Sequence, residues 1–132
     1  MSLFKLVLAT TITFLILDAI WLGYLAKAFY IKHMGELIHV KNGNIQANWI
    51  AALLVYIVLI GGILCFVHPL AGDSLKAAFA YGLLYGLITY GTYDLTNMAV
   101  IRDWSWTVTI VDILWGMTIC SITSIVGGFF KI

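Results

Sequence analysis

The sequence predicts an all-α membrane protein, a bundle of four spanning helices with a short amphipathic helix lying in the interface between the first and second. Three observations predict it. Of the 132 residues, 63% are apolar and only 10% are charged, whereas soluble domains run at about half and about a quarter. Residues 6–25, 49–67, 75–97 and 106–129 each form a window with roughly the twenty apolar residues that a spanning helix needs. What lies between these windows is too short for a soluble domain, so residues 1–132 read as one transmembrane domain.

The first window follows Lys5 and has the look of a signal peptide, with Ala26-Lys27-Ala28 as a cleavage-like site. Asp18, Trp21 and Tyr24 intervene, however, and a signal sequence passes to its cleavage site more directly. The segment is therefore expected to be the first span. In residues 26–48, Tyr30, Ile31, Met34, Leu37 and Ile38 share one arc at about 100° per residue. Lys32, His33, Glu36 and His39 take the opposite arc. This is the pattern of an interfacial helix, and a lid packed over the bundle fits it too. Asn42-Gly43-Asn44 reads as a turn, because Gly and Asn tolerate positive φ.

In residues 68–74, Pro69 and Gly72 are expected to stop one helix, and Asp73 or Ser74 to cap the next. Gly82 and Gly86 in the third window form a small-xxx-small pair that lets helix backbones approach. Packing within the chain is the first reading of that pair, and homodimerisation the second. Asp103 or Ser105 is expected to cap the fourth span. With four spans, both termini and residues 68–74 share one side, and the first and third connections share the other. Lys5, Lys76 and Lys131 then oppose Lys27, Lys32, Lys41 and Arg102. That is nearly a balance for the positive-inside rule, and the free amino terminus tips the expectation towards cytoplasmic termini.

The net charge of +1 makes no case for nucleic acid. No basic cluster recruits anionic headgroups, so bulk membrane lipid is the expected surrounding. Cys65 and Cys120 lack metal-type spacing and read as buried, unbridged thiols. Nucleophile, phosphate-loop and dinucleotide motifs are absent, and no cofactor is expected. His33, His39 and His68 share no ligand spacing within a span, so no metal is expected and all three read as solvated loop residues.

Asp18, Asp94 and Asp112 fall inside the apolar windows, where an ionisable group is costly and usually marks function. Asp18 lies about 10 Å below the exit of the first span. Asp94 lies near the exit of the third, and Asp112 about one and a half turns into the fourth. All three share one half of the bundle. Every tryptophan (Trp21, Trp49, Trp104, Trp106, Trp115) lies in that half, with Tyr24, Tyr90 and Tyr93. Trp49, Trp104 and Trp106 suit an interfacial belt. Trp21 and Trp115 each follow an acid by three residues, on its own helix face, where an indole N–H can donate to the neighbouring carboxylate. Tyr90 and Asn97 flank Asp94 at i−4 and i+3, and Thr109 precedes Asp112 at i−3. One polar stripe on each of three helices, at one depth, predicts a shared cavity, with a purely structural network as the alternative. Carboxyls so placed do not all ionise, and at least one is expected to hold its proton near neutral pH.

The run Leu17-Asp18-Ala19-Ile20-Trp21-Leu22-Gly23 resembles a bacterial membrane-protein family, the domain of unknown function 2177. So do Tyr93-Asp94-Leu95-Thr96-Asn97, Arg102-Asp103-Trp104-Ser105 and Asp112-Ile113-Leu114-Trp115-Gly116. The resemblance covers nearly the whole chain and implies a small four-helix protein of the bacterial inner membrane, with no reaction or substrate attached. Small multidrug transporters are similar in layout only: four short spans with an acid in the first, a place Asp18, Trp21 and Tyr24 would fill. Lipoprotein signal peptidase is similar in placing acids where Asp94 and Asp112 stand, but its Asn and Arg motifs are missing here.

The first functional expectation is an acid-lined, aromatic-walled cavity that binds or transports a small amphiphilic, cationic ligand with proton coupling. Its ligand-binding residues would be Asp18, Trp21, Tyr24, Tyr90, Tyr93, Asp94, Asn97, Asp112 and Trp115. The second is an intramembrane hydrolase or lipid-modifying enzyme, with Asp94 and Asp112 as the catalytic pair. The third is a structural or assembly subunit.

Overall fold

The computed structural model describes residues 2–131 and is almost entirely helical. Helix α1 (Ser2–Ile20) runs on through a wider π turn, Trp21–Leu25. A short α2 (Lys27–Met34) comes next. Then come a single 3-10 turn, Gly35–Leu37, and a hairpin of β1 (Val40–Lys41) and β2 (Asn44–Ile45). Helix α3 (Trp49–Gly62) passes through a second π turn, Ile63–Val67, into α4 (His68–Ala71). Two long antiparallel helices complete the chain, α5 (Leu75–Val100) and α6 (Trp106–Phe129).

The burial pattern is inverted relative to a water-soluble protein. Along α1 the buried stripe is Leu6, Thr10, Phe14 and Asp18, while Leu8, Ile12, Leu15 and Ile16 are exposed. A soluble helix turns its apolar stripe inward and its polar face out. Here the polar groups sit inside and aliphatic side chains cover the outside. Helix α3 repeats this, with Trp49, Leu53 and Val58 exposed and Ile50 exposed to 77%. Leu3–Leu25, Trp49–Ala71 and Trp106–Phe129 are long and apolar enough to cross a membrane. Among the described residues, three such helices stand where the sequence predicts four. Helix α5 has the length, 26 residues, or about 39 Å. Its four tyrosines, three threonines, Asp94 and Asn97 dilute its apolar character.

Phe14, Ile60, Ile63, Val67, Ile119 and Cys120 form the main core. Helices α5 and α6 meet most closely at glycine. A Cβ on Gly82 would come within 2.7 Å of the Ser121 backbone, and one on Gly86 would collide with Gly116. The glycine pair therefore packs within the chain. Cys120 is buried, but Cys65 is exposed, because the π turn places it on the outer face.

Three local expectations are corrected. The amphipathic helix ends at Met34 because Gly35 takes φ +54°, so Leu37 and Ile38 leave its arc. The turn expected at Asn42-Gly43-Asn44, by contrast, forms and closes a hairpin: Asn42 and Gly43 both have positive φ, as a two-residue mirror-image turn requires. Pro69 does not stop the second long helix. Proline clashes with the carbonyl four residues back, and the π turn, whose bonds run one residue farther, opens that ladder just ahead of it. The chain stops at Gly72, φ +60°. His68 is consequently not a loop residue but is 1% exposed, with Nε2 3.4 Å from the Thr10 hydroxyl. Lys131 donates to the His68 and Gly72 carbonyls, at 2.6 and 2.7 Å. Of the alternative caps, Ser74 and Ser105 hold α5 and α6.

Candidate functional site

The three aspartates meet at one end of the helices. Asp18 on α1 is 7% exposed and Asp94 on α5 is fully buried, while Asp112 on α6 is half-buried. The Tyr56 hydroxyl, from α3, donates to Asp18 Oδ2 at 2.6 Å. Trp115 Nε1, from α6, donates to Asp18 Oδ1 at 3.4 Å. The Tyr30 hydroxyl, from α2, donates to Asp112 Oδ1 at 2.7 Å and accepts Trp21 Nε1 at 3.0 Å. The Trp21 and Trp115 rings lie flat on each other, with centroids 4.4 Å apart and planes 5° from parallel. One continuous network thus runs from Tyr56 and Asp18, across the paired indoles, through Tyr30 to Asp112.

Asp94 faces the Asp112 carboxyl across the α5–α6 seam. With both ionised, neither can donate, and both Asp94 oxygens are buried without a hydrogen-bond partner. A buried carboxylate with no donor is expensive. Something that supplies a donor, either a proton or a cationic N–H, completes this pair.

The indoles do not pair as their spacing suggests. The spacing allows each to donate to the acid of its own helix or to wall a cavity with its ring. Trp115 instead reaches across to Asp18, and Trp21 reaches Tyr30. The π turn at Trp21 rotates the residues beyond it, which also removes Tyr24 from the site. In an α-helix a residue three positions on stays near the same face, whereas in a wider turn it falls behind. Tyr24 is 80% exposed. Tyr90 packs against Gly116, and its hydroxyl lies within electrostatic reach of Asp18, Asp112 and Tyr30. Tyr93 is exposed, its ring edge-on to Trp104 at 6.0 Å. Asn97 is half-buried, and its carbonyl accepts the Ile101 N–H that closes α5.

Tyr30 and Tyr56 supply the two shortest bonds to the acids, and sequence spacing did not single them out as site residues. A signal existed for Tyr56, since a hydroxyl within an otherwise apolar run needs a partner. Tyr30 belongs to a cap over the cluster, packed with Ala26, Trp104 and Val108. Burial, then the nearby Asp112 charge, holds the Tyr30 hydroxyl above its ordinary pKa, so it remains a donor at physiological pH. Trp104 Nε1 donates to Thr109 at 3.0 Å, which spends Thr109 on the cap rather than on Asp112.

Hydrogen bonds and the stacked indoles join Asp18 to Asp112, and Asp94 stands beside Asp112. Two clefts lie elsewhere. One, about 440 Å³, is lined by Lys5, Leu8, Ala9, Ile12, Thr13, Val126 and Phe130. The other, about 150 Å³, lies between Phe66 and Ile88. His33 Nδ1 sits 3.0 Å from the Phe29 carbonyl, and His39 is exposed. Among the described residues no three His, Cys, Asp or Glu side chains converge as metal ligands would.

Residues 3–129 match the model of one family, described as predicted membrane protein (DUF2177). No curated protein and no solved structure matches the chain.

Proposed function

The chain belongs to the DUF2177 family of predicted membrane proteins, and we propose that it binds a small amphiphilic cation at the Asp18–Asp94–Asp112 cluster and exchanges it for a proton. The observation that carries this reading is the pair of Asp94 oxygens, fully buried, donorless and opposed to a second carboxyl. In this reading α5 is the fourth span, since Tyr90 and Asp94 turn towards α6 and its 26 residues suffice in length. The membrane is the bacterial inner membrane. Helix α2 and the 100–105 loop close the site, and Trp21 and Trp115 part to admit the ligand, whose charge their ring faces attract. The closed network then represents the resting form.

The facing of Asp94 and Asp112 also favours a second reading, an aspartate-pair hydrolase in which one carboxyl takes a proton from water and the other gives one. Calorimetric titration of the detergent-purified protein separates the readings. Hexylammonium or hexyltrimethylammonium should bind saturably, and Asp94→Asn should abolish binding while preserving the melting temperature. Failure of both cations to bind would remove the transport reading and leave the hydrolase and structural ones.

A further inference from the structure

We infer that the cation is a primary ammonium, taken up in exchange for one proton held between Asp94 and Asp112. This rests on the reading of the cluster as a cation site and names the chemical class that the site takes.

The free acceptors in the cluster define the class. Both Asp18 oxygens are occupied, by the Tyr56 hydroxyl and the Trp115 N–H. Asp112 Oδ1 is occupied by the Tyr30 hydroxyl. Among the described residues, that leaves Asp94 Oδ1 and Asp94 Oδ2 buried without a donor, beside the half-buried Asp112, whose bond from Tyr30 uses only Oδ1 and leaves Oδ2 as the third acceptor. An alkylammonium head carries three N–H donors and accepts nothing, so its donors match these oxygens one for one. A quaternary ammonium carries charge and no donor, and would leave all three acceptors unpaired. Charge-assisted bonds of this kind are the strong class, and a buried acceptor left empty forfeits most of that gain.

The groups around the three oxygens add no competing cation. From α6 come Asp112 and Trp115. From α1 and its π turn come Asp18 and Trp21, and from α2 comes Tyr30. Tyr90 and, from a more exposed position, Tyr93 lie within their electrostatic reach on α5. Besides its own burial, Asp112 acts on Asp94, and Tyr30 and Tyr93 lie within electrostatic reach of it. Without a ligand, one proton shared by the two carboxyls supplies the missing donor. When R–NH3+ enters, that proton departs to water, one positive charge replaces another, and no bond of the ligand breaks.

The test compares hexylammonium with hexyltrimethylammonium on the whole protein, in a nonionic detergent at neutral pH, by calorimetry and by a pH dye in weak buffer. Hexylammonium should bind at least about tenfold tighter, the equivalent of one charge-assisted hydrogen bond. It should release one proton per cation bound. Asp94→Asn, and separately Asp112→Asn, should lose both the preference and the proton release with the fold retained by circular dichroism. Equal affinity for the two cations, both lost in Asp94→Asn, would overturn this inference and leave the cation site standing. Binding of neither would overturn the site itself. Uptake of hexylammonium without proton release would overturn the exchange.

Discussion

Tyr56 and Tyr30 hold Asp18 and Asp112 from outside the helices that carry them. Removing either hydroxyl leaves a carboxylate oxygen without its shortest bond, which costs about 1–3 kcal/mol. Tyr56→Phe should therefore lower stability by that amount in denaturant unfolding, and the loss should largely vanish when the change is made in an Asp18→Ala background, where the acceptor is gone. Additive losses would show that the bond carries no coupling. Tyr30→Phe should also release the Trp21 N–H from its acceptor, and the tryptophan emission should shift. The acids were legible at this scale because an aspartate in an apolar run is conspicuous whatever surrounds it. The partners were not. An indole three residues from a carboxylate is equally well placed to reach past it, and only the packing of α1 on α6 decides that Trp115 serves Asp18.

At the scale of elements, glycine and the π turns set what meets what. Gly86 lies against the Gly116 backbone with no room for a side chain. Gly86→Leu should part α5 from α6, separating Asp94 from Asp112, and destabilise by about 1–3 kcal/mol. A variant that kept wild-type unfolding and cation affinity would contradict that contact. Gly35 ends α2 at φ +54°, ψ −124°, a conformation for glycine alone, so Gly35→Ala should cost about 1–3 kcal/mol. Its measurable sign would be faster exchange of the α2 amides. Helix caps and the Asn42-Gly43 turn were readable because their chemistry is local. The π turns at Trp21–Leu25 and Ile63–Val67 were not. Each adds a residue to a turn without any change in composition, and each alters which side chains face inward. That is why Tyr24 left the predicted site, why Pro69 sits within a helix, and why His68 is buried.

For the whole molecule, the inverted burial of α1 and α3 is the counterpart of the apolar composition from which a membrane protein was read. The long helices were legible because a span needs only length and hydropathy. Helix α5 was harder to weigh because its polar stripe belongs to the site. Its crossing can be checked by single cysteines at Asp73 and Asp103, in a background of Cys65→Ala and Cys120→Ala, with an impermeant thiol reagent. The two positions should label from opposite faces of the membrane, and labelling from one face would mean that α5 does not cross. The proposed cation exchange depends on Asp94 and Asp112 closing on each other among the helices, with one proton between them. Infrared difference spectroscopy of the purified protein at neutral pH addresses this most directly. A protonated-carboxyl band should be present, should disappear in Asp94→Asn and should be bleached by hexylammonium. A spectrum with no such band, or a band untouched by both, would contradict the shared proton and the exchange built on it.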